Sequence, residues 1–409
     1  MEAFIRDQII AVAKHMPFHM LAGYFKKRCT PEVEDARRKL GGFMKGICHP
    51  SENFEQIKGA GIEWNRMDIP FPIDKEGNIR QDYLDWKNKA RRYQASGIRV
   101  MAVTPYPRTY IEYGIDPRLP ENEARVRELA IFMLEDLRGL AEVFQITNEM
   151  GLPQFMKPLN IQEAVRFIGI QAEAMHPRKG DVLVGYNSSG PQSDLHQMMK
   201  PWHKYCDYIG IDIYLGCFVA AGNYMWMHDA LLRYLWSMTG KPILLCEFGY
   251  ISGGIIKTPE EKKAVLKRYG VSSEQEAREN VEVFMAHLKE KEPKMWSYVE
   301  RCHSGNPADY LFNSMYRNHF YAELPKGVVI KGYPHTPEGQ ADYYRDVFPR
   351  LAKLPYVLGA IIYAWKDSER CGYCGQGDCP QETRWGLVDQ ERKEKPSYYA
   401  VRKALDQIQ

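Results

Sequence analysis

Eight short apolar runs recur along this chain, with helical patterns in the spaces between them. The runs cover residues 43–48, 64–69, 99–104, 143–148, 181–186, 208–213, 243–246 and 357–365. Each has the length and side-chain content of a strand buried on both faces. Residues 82–94, 121–140, 161–175, 230–238 and 336–351 place apolar side chains at helical spacing, and a last helix follows Pro396. Strand and helix in strict alternation imply a parallel sheet, because each helix carries the chain back to start the next strand at the same end. Eight such units predict an α/β chain closed as a (β/α)8 barrel. The doubly wound sheet is the other arrangement, but no Gly-x-Gly-x-x-Gly turn follows the first run.

The spacing also predicts the domain plan. Successive runs start about 20 to 45 residues apart until the seventh, after which more than 100 residues intervene. Residues 251–335 therefore read as an insertion after strand seven, on the face where the C-terminal strand ends gather. It holds charged helical stretches at 258–268 and 273–290, then an aromatic segment at 296–321. Residues 1–40 read as an N-terminal helical extension, with Phe4, Ile5, Ile9 and Val12 along one side. The catalytic barrel then runs over 41–409.

Two of the eight runs end in a carboxylate. One phrase is Val143-Phe-Gln-Ile-Thr-Asn148-Glu149, and the other is Pro242-Ile-Leu-Leu-Cys-Glu247-Phe-Gly249. A charged group at the mouth of a buried strand is costly to desolvate and adds nothing to packing, which points to a site. Two carboxyl groups across one pocket are the minimal machinery for hydrolysing a glycosidic bond. Every barrel strand delivers its C-terminal end to one face, so the same mouth should also gather Arg66, Asp68, Tyr106, Asn148, Asn187, Asp212, Tyr214 and Trp365.

This set resembles clan A of the retaining glycoside hydrolases. In that clan an Asn-Glu pair ends strand four and a Glu ends strand seven, matching Asn148-Glu149 and Glu247 here. The resemblance implies Glu149 as acid/base and Glu247 as nucleophile. It also implies substrate-binding roles for Arg66, Asn148, Tyr214 and Trp365. Arg384-Trp-Gly-Leu-Val-Asp-Gln and Lys395-Pro-Ser-Tyr-Tyr-Ala look like the closing segment of β-glucuronidases, β-galactosidases and β-mannosidases. The phrases Tyr208-Ile-Gly-Ile-Asp-Ile-Tyr214 and Glu247-Phe-Gly-Tyr look like those of some β-mannanases. Met150 stands where many members have Pro, and Asp212-x-Tyr214 where His-x-Tyr is common, so the family, sugar and linkage stay unassigned. Residue chemistry gives consistent roles. The Arg66 guanidinium and Tyr214 hydroxyl would hold Glu247 charged, and burial beside that charge would keep Glu149 protonated.

Other observations bound the rest. A net charge of +3 over 409 residues excludes a strongly electrostatic nucleic-acid or membrane partner. No run of 18 apolar residues exists. Nine cysteines, an odd number, and a poor signal-peptide pattern at the N-terminus imply reduced thiols in a cytoplasm. The phrase Cys371-Gly-Tyr-Cys374-Gly-Gln-Gly-Asp-Cys379 has knuckle-like metal-binding spacing, with a fourth ligand expected from Cys302, His303, Cys217 or Asp378. Zinc there would be structural, and catalysis itself needs no cofactor. Tyr106, Trp226, Trp296 and Trp365 are the aromatics expected around a sugar, with Tyr310 a further candidate in the insertion. The reading is a retaining β-glycosidase, exo-acting on short oligosaccharides or glycosides. An endo-β-mannanase or β-glucanase is the nearest alternative, and a non-catalytic carbohydrate-binding barrel the alternative of another class. Oligomeric state is not readable from the sequence.

Overall fold

The computed structural model describes residues 3–25, 29–218 and 223–408. Eight parallel strands close into one barrel in chain order. They are β1 Met44–Cys48, β2 Trp64–Asp68, β3 Arg99–Val103, β4 Val143–Gln145, β5 Leu183–Ser189, β6 Tyr208–Ile213, β7 Ile243–Phe248 and β8 Val357–Ile362. The doubly wound alternative is thereby excluded. β4 is shorter than its apolar run predicts, because the backbone turns at Thr147. β5 runs on to Ser189, past the predicted end at 186, and so includes Asn187.

Alternation along each strand sorts the side chains. Met44, Trp64, Met101, Val143, Leu183, Tyr208, Leu244 and Ile361 share one buried cluster inside the barrel. Their neighbours in sequence, such as Val100, Phe144, Ile209 and Leu245, belong to the larger core beneath the surrounding helices. Small residues make room for the large ones. A Cβ on Gly185 would lie 2.5 Å from the Tyr208 carbonyl oxygen, and one on Gly359 would lie 2.3 Å from Met44 Cβ. Above this apolar layer, the same inward positions carry Arg66, Gln145, Asn187 and Asp212, all buried.

The N-terminal 40 residues contain two helices, Ala3–Phe25 and Pro31–Leu40. The second belongs to the barrel. Its Ala36 and Leu40 join the interior cluster, and Arg99 at the start of β3 donates to the Leu40 and Lys39 carbonyls. The side chains of Phe4, Ile5 and Ile9 lie outside the described residues. After β7 come six helices within Pro259–Tyr321. They enclose a core of their own, including Leu266, Phe284, Leu288, Met295, Phe312 and Phe320. Cys371, Cys374 and Cys379 of the loop after β8 are buried in that same core. Among the described residues, no helix is long and apolar enough to cross a membrane.

Candidate active site

A cavity of about 600 Å³ opens at the C-terminal ends of the strands. Its floor is a hydrogen-bonded polar layer. Arg66 at the end of β2 donates from Nη1 to Glu247 Oε1 at 2.7 Å, from Nη2 to Asn148 Oδ1 at 2.7 Å and from Nε to Gln145 Oε1 at 3.1 Å. Tyr214, just past β6, donates to the other Glu247 oxygen at 2.5 Å. Burial and the Glu247 charge push the Tyr214 phenol well above its ordinary value, so it stays the donor. The Glu247 side chain is thus gripped at both oxygens while remaining 12% exposed to the cavity.

Local backbone irregularities aim these groups. The β6–β7 register jumps between Ile211 and Asp212, so that Ile211 faces Leu245 while Asp212 faces Glu247. A bulge of this kind turns a strand-end side chain toward the barrel axis. Phe248 next to it packs outward against Tyr344 and Phe348. Thr147 and Glu149 both hold left-handed backbone, with φ of 57° and 48°. Such positions cost about 1–3 kcal/mol each for a side-chain-bearing residue and persist only when the surroundings impose them. Here Thr147 N donates to Thr104 Oγ1 at 3.0 Å, and Glu149 N donates to Asn187 Oδ1 at 2.8 Å.

The hydrogen-bond pattern also orients Asn148. Its Oδ1 accepts from Arg66, from Gln145 Nε2 at 3.1 Å and from Asn187 Nδ2 at 2.7 Å. Arg66 is an obligate donor, so the amide cannot be flipped. Asn148 lines the cavity, and its NH2 group is the donor this pattern leaves over.

Glu149 is buried, and desolvation together with the nearby Glu247 charge pushes its carboxyl up to about 7. Hydrogen bonds from Ser189 and Asp212 and the Arg66 charge oppose that shift. Asp212 is raised too, by burial first and then by Glu247 and Glu149. Three carboxyl groups crowd around one guanidinium, so they cannot all be ionised at neutral pH.

No family's sequence profile matches this chain, and no curated protein does. Solved structures do. A β-glucuronidase from an uncultured Clostridium species aligns with a TM-score of 0.53 at 14% identity, over 90% of this chain and 50% of that one. A family 39 glycoside hydrolase from Bacteroides cellulosilyticus WH2 gives 0.53 at 12% identity, over 91% and 64%. A GH53 catalytic domain from Ignisphaera aggregans gives 0.52 at 16% identity, over 91% and 94%. The chain has the (β/α)8 fold of these glycoside hydrolases. It spans about half the length of the β-glucuronidase and just under two thirds of the family 39 enzyme.

Of the residues expected at the mouth, Arg66, Asp68, Tyr106, Asn148, Glu149, Asp212, Tyr214 and Glu247 line the cavity. Asn187 and Trp365 do not. Asn187 lies beneath it, with its amide committed to Asn148, Asp212 and the Glu149 backbone. Trp365 is fully buried, donates from Nε1 to Ser51 Oγ at 3.1 Å and packs edge-on against Tyr398. It cannot present a face to a sugar. Tyr363, two residues earlier, is the aromatic from this strand end that lines the cavity. Trp296 and Tyr310 pack against the core of the insertion, and Trp226 stacks on Tyr224 in solvent.

Sequence reasoning passed over several lining residues. Gln145, outside the lining but bonded to Arg66, had a signal as a buried amide within the apolar run Val143-Phe-Gln-Ile. Tyr373, Glu382 and Met315 come from loops whose path no periodicity reveals, and Val12, Ala13 and Met16 come from the first helix. The cysteine cluster is also arranged differently from the expectation. His319 is the side chain beside Cys371 and Cys379. Of the expected fourth ligands, three are engaged elsewhere, His303 with the Gly305 carbonyl, Asp378 with Lys257, and Cys217 with the Leu215 and Gly249 carbonyls, and Cys302 is not part of the group around His319.

Proposed function

We propose that this protein is a retaining β-glycoside hydrolase, with Glu247 as nucleophile and Glu149 as acid/base, supplying the chemistry without a cofactor. The observation that carries the reading is the unequal pair of glutamates in one cavity: Glu247 paired with Arg66 and Tyr214, Glu149 desolvated and raised to about 7. Environments that separate two carboxyls in this way assign acid and base roles. Glu247 attacks the anomeric carbon while Glu149 protonates the leaving oxygen. Formation of the glycosyl-enzyme neutralises Glu247, and Glu149 then takes a proton from water. The Asn148 amide NH2 is available to a sugar 2-hydroxyl, a contact that strengthens in the transition state.

The lining supports exo-action on a neutral sugar. The first helix contributes one side of the cavity, and Met315, Tyr373 and Glu382 contribute another. Arg66 is the single Lys or Arg among the described lining residues, against Asp68, Glu149, Asp212, Glu247 and Glu382. Its guanidinium is committed to Glu247, Asn148 and Gln145. A uronic acid carboxylate would enter this cavity with no cation to meet it, so neutral β-glycosides are the expected substrates. A reducing cytoplasm fits the buried thiols Cys48 and Cys246 inside the barrel.

A panel of nitrophenyl β-glycosides tests this. Neutral hexosides should be turned over with kcat/KM at least roughly 100-fold above the β-glucuronide, and proton NMR should show the β-anomer as first product. An α-anomer formed first would sink the retaining assignment. The pH profile gives a second check. Catalysis needs Glu149 protonated, and its protonated fraction falls as pH rises through about 7. For alkyl β-glycosides, kcat/KM should therefore drop tenfold per pH unit above that value. A plateau extending to pH 9 would remove Glu149 as the acid.

A further inference from the structure

We infer that Cys371, Cys374, Cys379 and His319 form a structural zinc site that ties the loop after β8 to the helical insertion. The geometry carries it. His319 Nδ1 lies 3.5 Å from Cys371 Sγ and 3.7 Å from Cys379 Sγ. A tetrahedral ion with bonds of about 2.3 Å to sulfur and about 2.05 Å to nitrogen would set those two edges at about 3.6 Å. The ligand atoms of His319, Cys371 and Cys379 all lie within 4.8 Å of one another, and Cys374, beside the other two sulfurs on the same loop, is the fourth donor of the proposed site. All four residues are buried, at 3%, 1%, 0% and 0% exposure for Cys371, Cys374, Cys379 and His319.

The backbone around the cysteines is built like a metal knuckle. The Tyr373 and Cys374 amides both point at Cys371 Sγ, at 3.3 and 3.4 Å, as donors to a thiolate do. Gly375 adopts φ of 65°, and its amide closes the turn onto the Cys371 carbonyl at 3.0 Å. Cys371 N reaches the Gln376 carbonyl at 2.9 Å. Three thiolates and an imidazole with no open position are the donor set of structural zinc, and their softness disfavours magnesium or calcium.

The consequence lies in the cavity wall. Tyr373 sits inside the knuckle, Glu382 three residues beyond it, and Met315 four residues before His319; all three line the cavity. The loop and the insertion meet here although His319 and Cys371 are 52 residues apart. One ion would fix both segments, and with them one wall of the binding site. This holds whether or not the barrel hydrolyses glycosides.

The test uses the full chain purified under reducing conditions without chelators. Elemental analysis should give about one zinc per chain. Mercurial titration of the native protein in the presence of a chromogenic chelator should release that zinc as three thiols react. Cobalt substitution should give the visible and thiolate charge-transfer absorption of a tetrahedral sulfur site. Cys371→Ser and His319→Ala should each fall below about 0.2 zinc per chain. His319→Cys should retain zinc, and so should Cys302→Ser, which lies outside the set. If a cysteine variant fails to fold, the mercurial and cobalt readouts on the unaltered protein decide alone. Less than about 0.2 zinc in the unaltered protein, iron in its place, or a Cys371–Cys379 disulfide found by mass spectrometry would each overturn the inference.

Discussion

Replacing Glu247 by alanine is expected to lower kcat on every glycoside by roughly 10⁵-fold or more, about 7 kcal/mol at 1.36 kcal/mol per decade. The loss is large because the proposed chemistry has no second nucleophile. Asp212, the nearest other carboxyl of β6 and β7, is buried with Oδ2 accepting from Asn187 at 2.7 Å. Substrate binding should change far less, since Asn148 and the aromatic walls remain. The variant also removes the one carboxylate hydrogen-bonded to the buried Arg66 guanidinium, and losing one partner of a buried pair costs up to about 3–5 kcal/mol. A lowered Tm should accompany the lost activity. Azide is small, anionic and nucleophilic, and the space vacated beside Arg66 suits it. With an activated aryl β-glycoside it should restore turnover and yield an α-glycosyl azide, the inverted product. Activity within tenfold of the unaltered protein, without azide, would remove Glu247 from the mechanism.

The barrel was readable from the chain because its signal is periodic. Eight apolar runs and their helices occupy positions that differ by only a few residues from the observed elements, and closure follows from the alternation. Strand ends were the weaker part. β4 stops at Gln145 because Thr147 adopts a left-handed turn, which no hydropathy pattern encodes. Candidate residues were readable where parity along a strand determines direction: Arg66 and Asp68 alternate with Met67, and Asp212 and Tyr214 with Ile213. Trp365 marks where parity ends. It follows β8 after an irregular stretch, and its indole turns out to Ser51 and Tyr398, leaving Tyr363 on the cavity. Loop-borne groups such as Tyr373 and Glu382 carry no periodic signal, since their positions depend on packing against the insertion. His319 escaped for the same reason. It precedes the knuckle by more than 50 residues and lies on the short helix Tyr316–Tyr321, whose site becomes apparent only when the two segments meet.

Replacing Glu149 by alanine should give a loss that depends on the leaving group. General acid assistance is worth about 10²–10⁴-fold, and that assistance matters only when the departing oxygen is too basic to leave unaided. For alkyl glycosides and oligosaccharides, kcat/KM should fall by roughly 10³–10⁴-fold. For a dinitrophenyl glycoside it should fall by less than about tenfold, because the phenolate leaves without a proton. The pH dependence provides an independent signature. The fall in kcat/KM through about 7 belongs to Glu149 in the unaltered protein, so the variant should lose that limb. Azide should again accelerate turnover, now by attacking the glycosyl-enzyme on Glu247 in place of water, and the product should be a β-glycosyl azide. Opposite azide configurations from the two variants would separate nucleophile from acid/base within one experiment. An equal loss on all leaving groups, with the alkaline limb intact, would mean that Glu149 holds the Thr147–Glu149 turn and moves no proton.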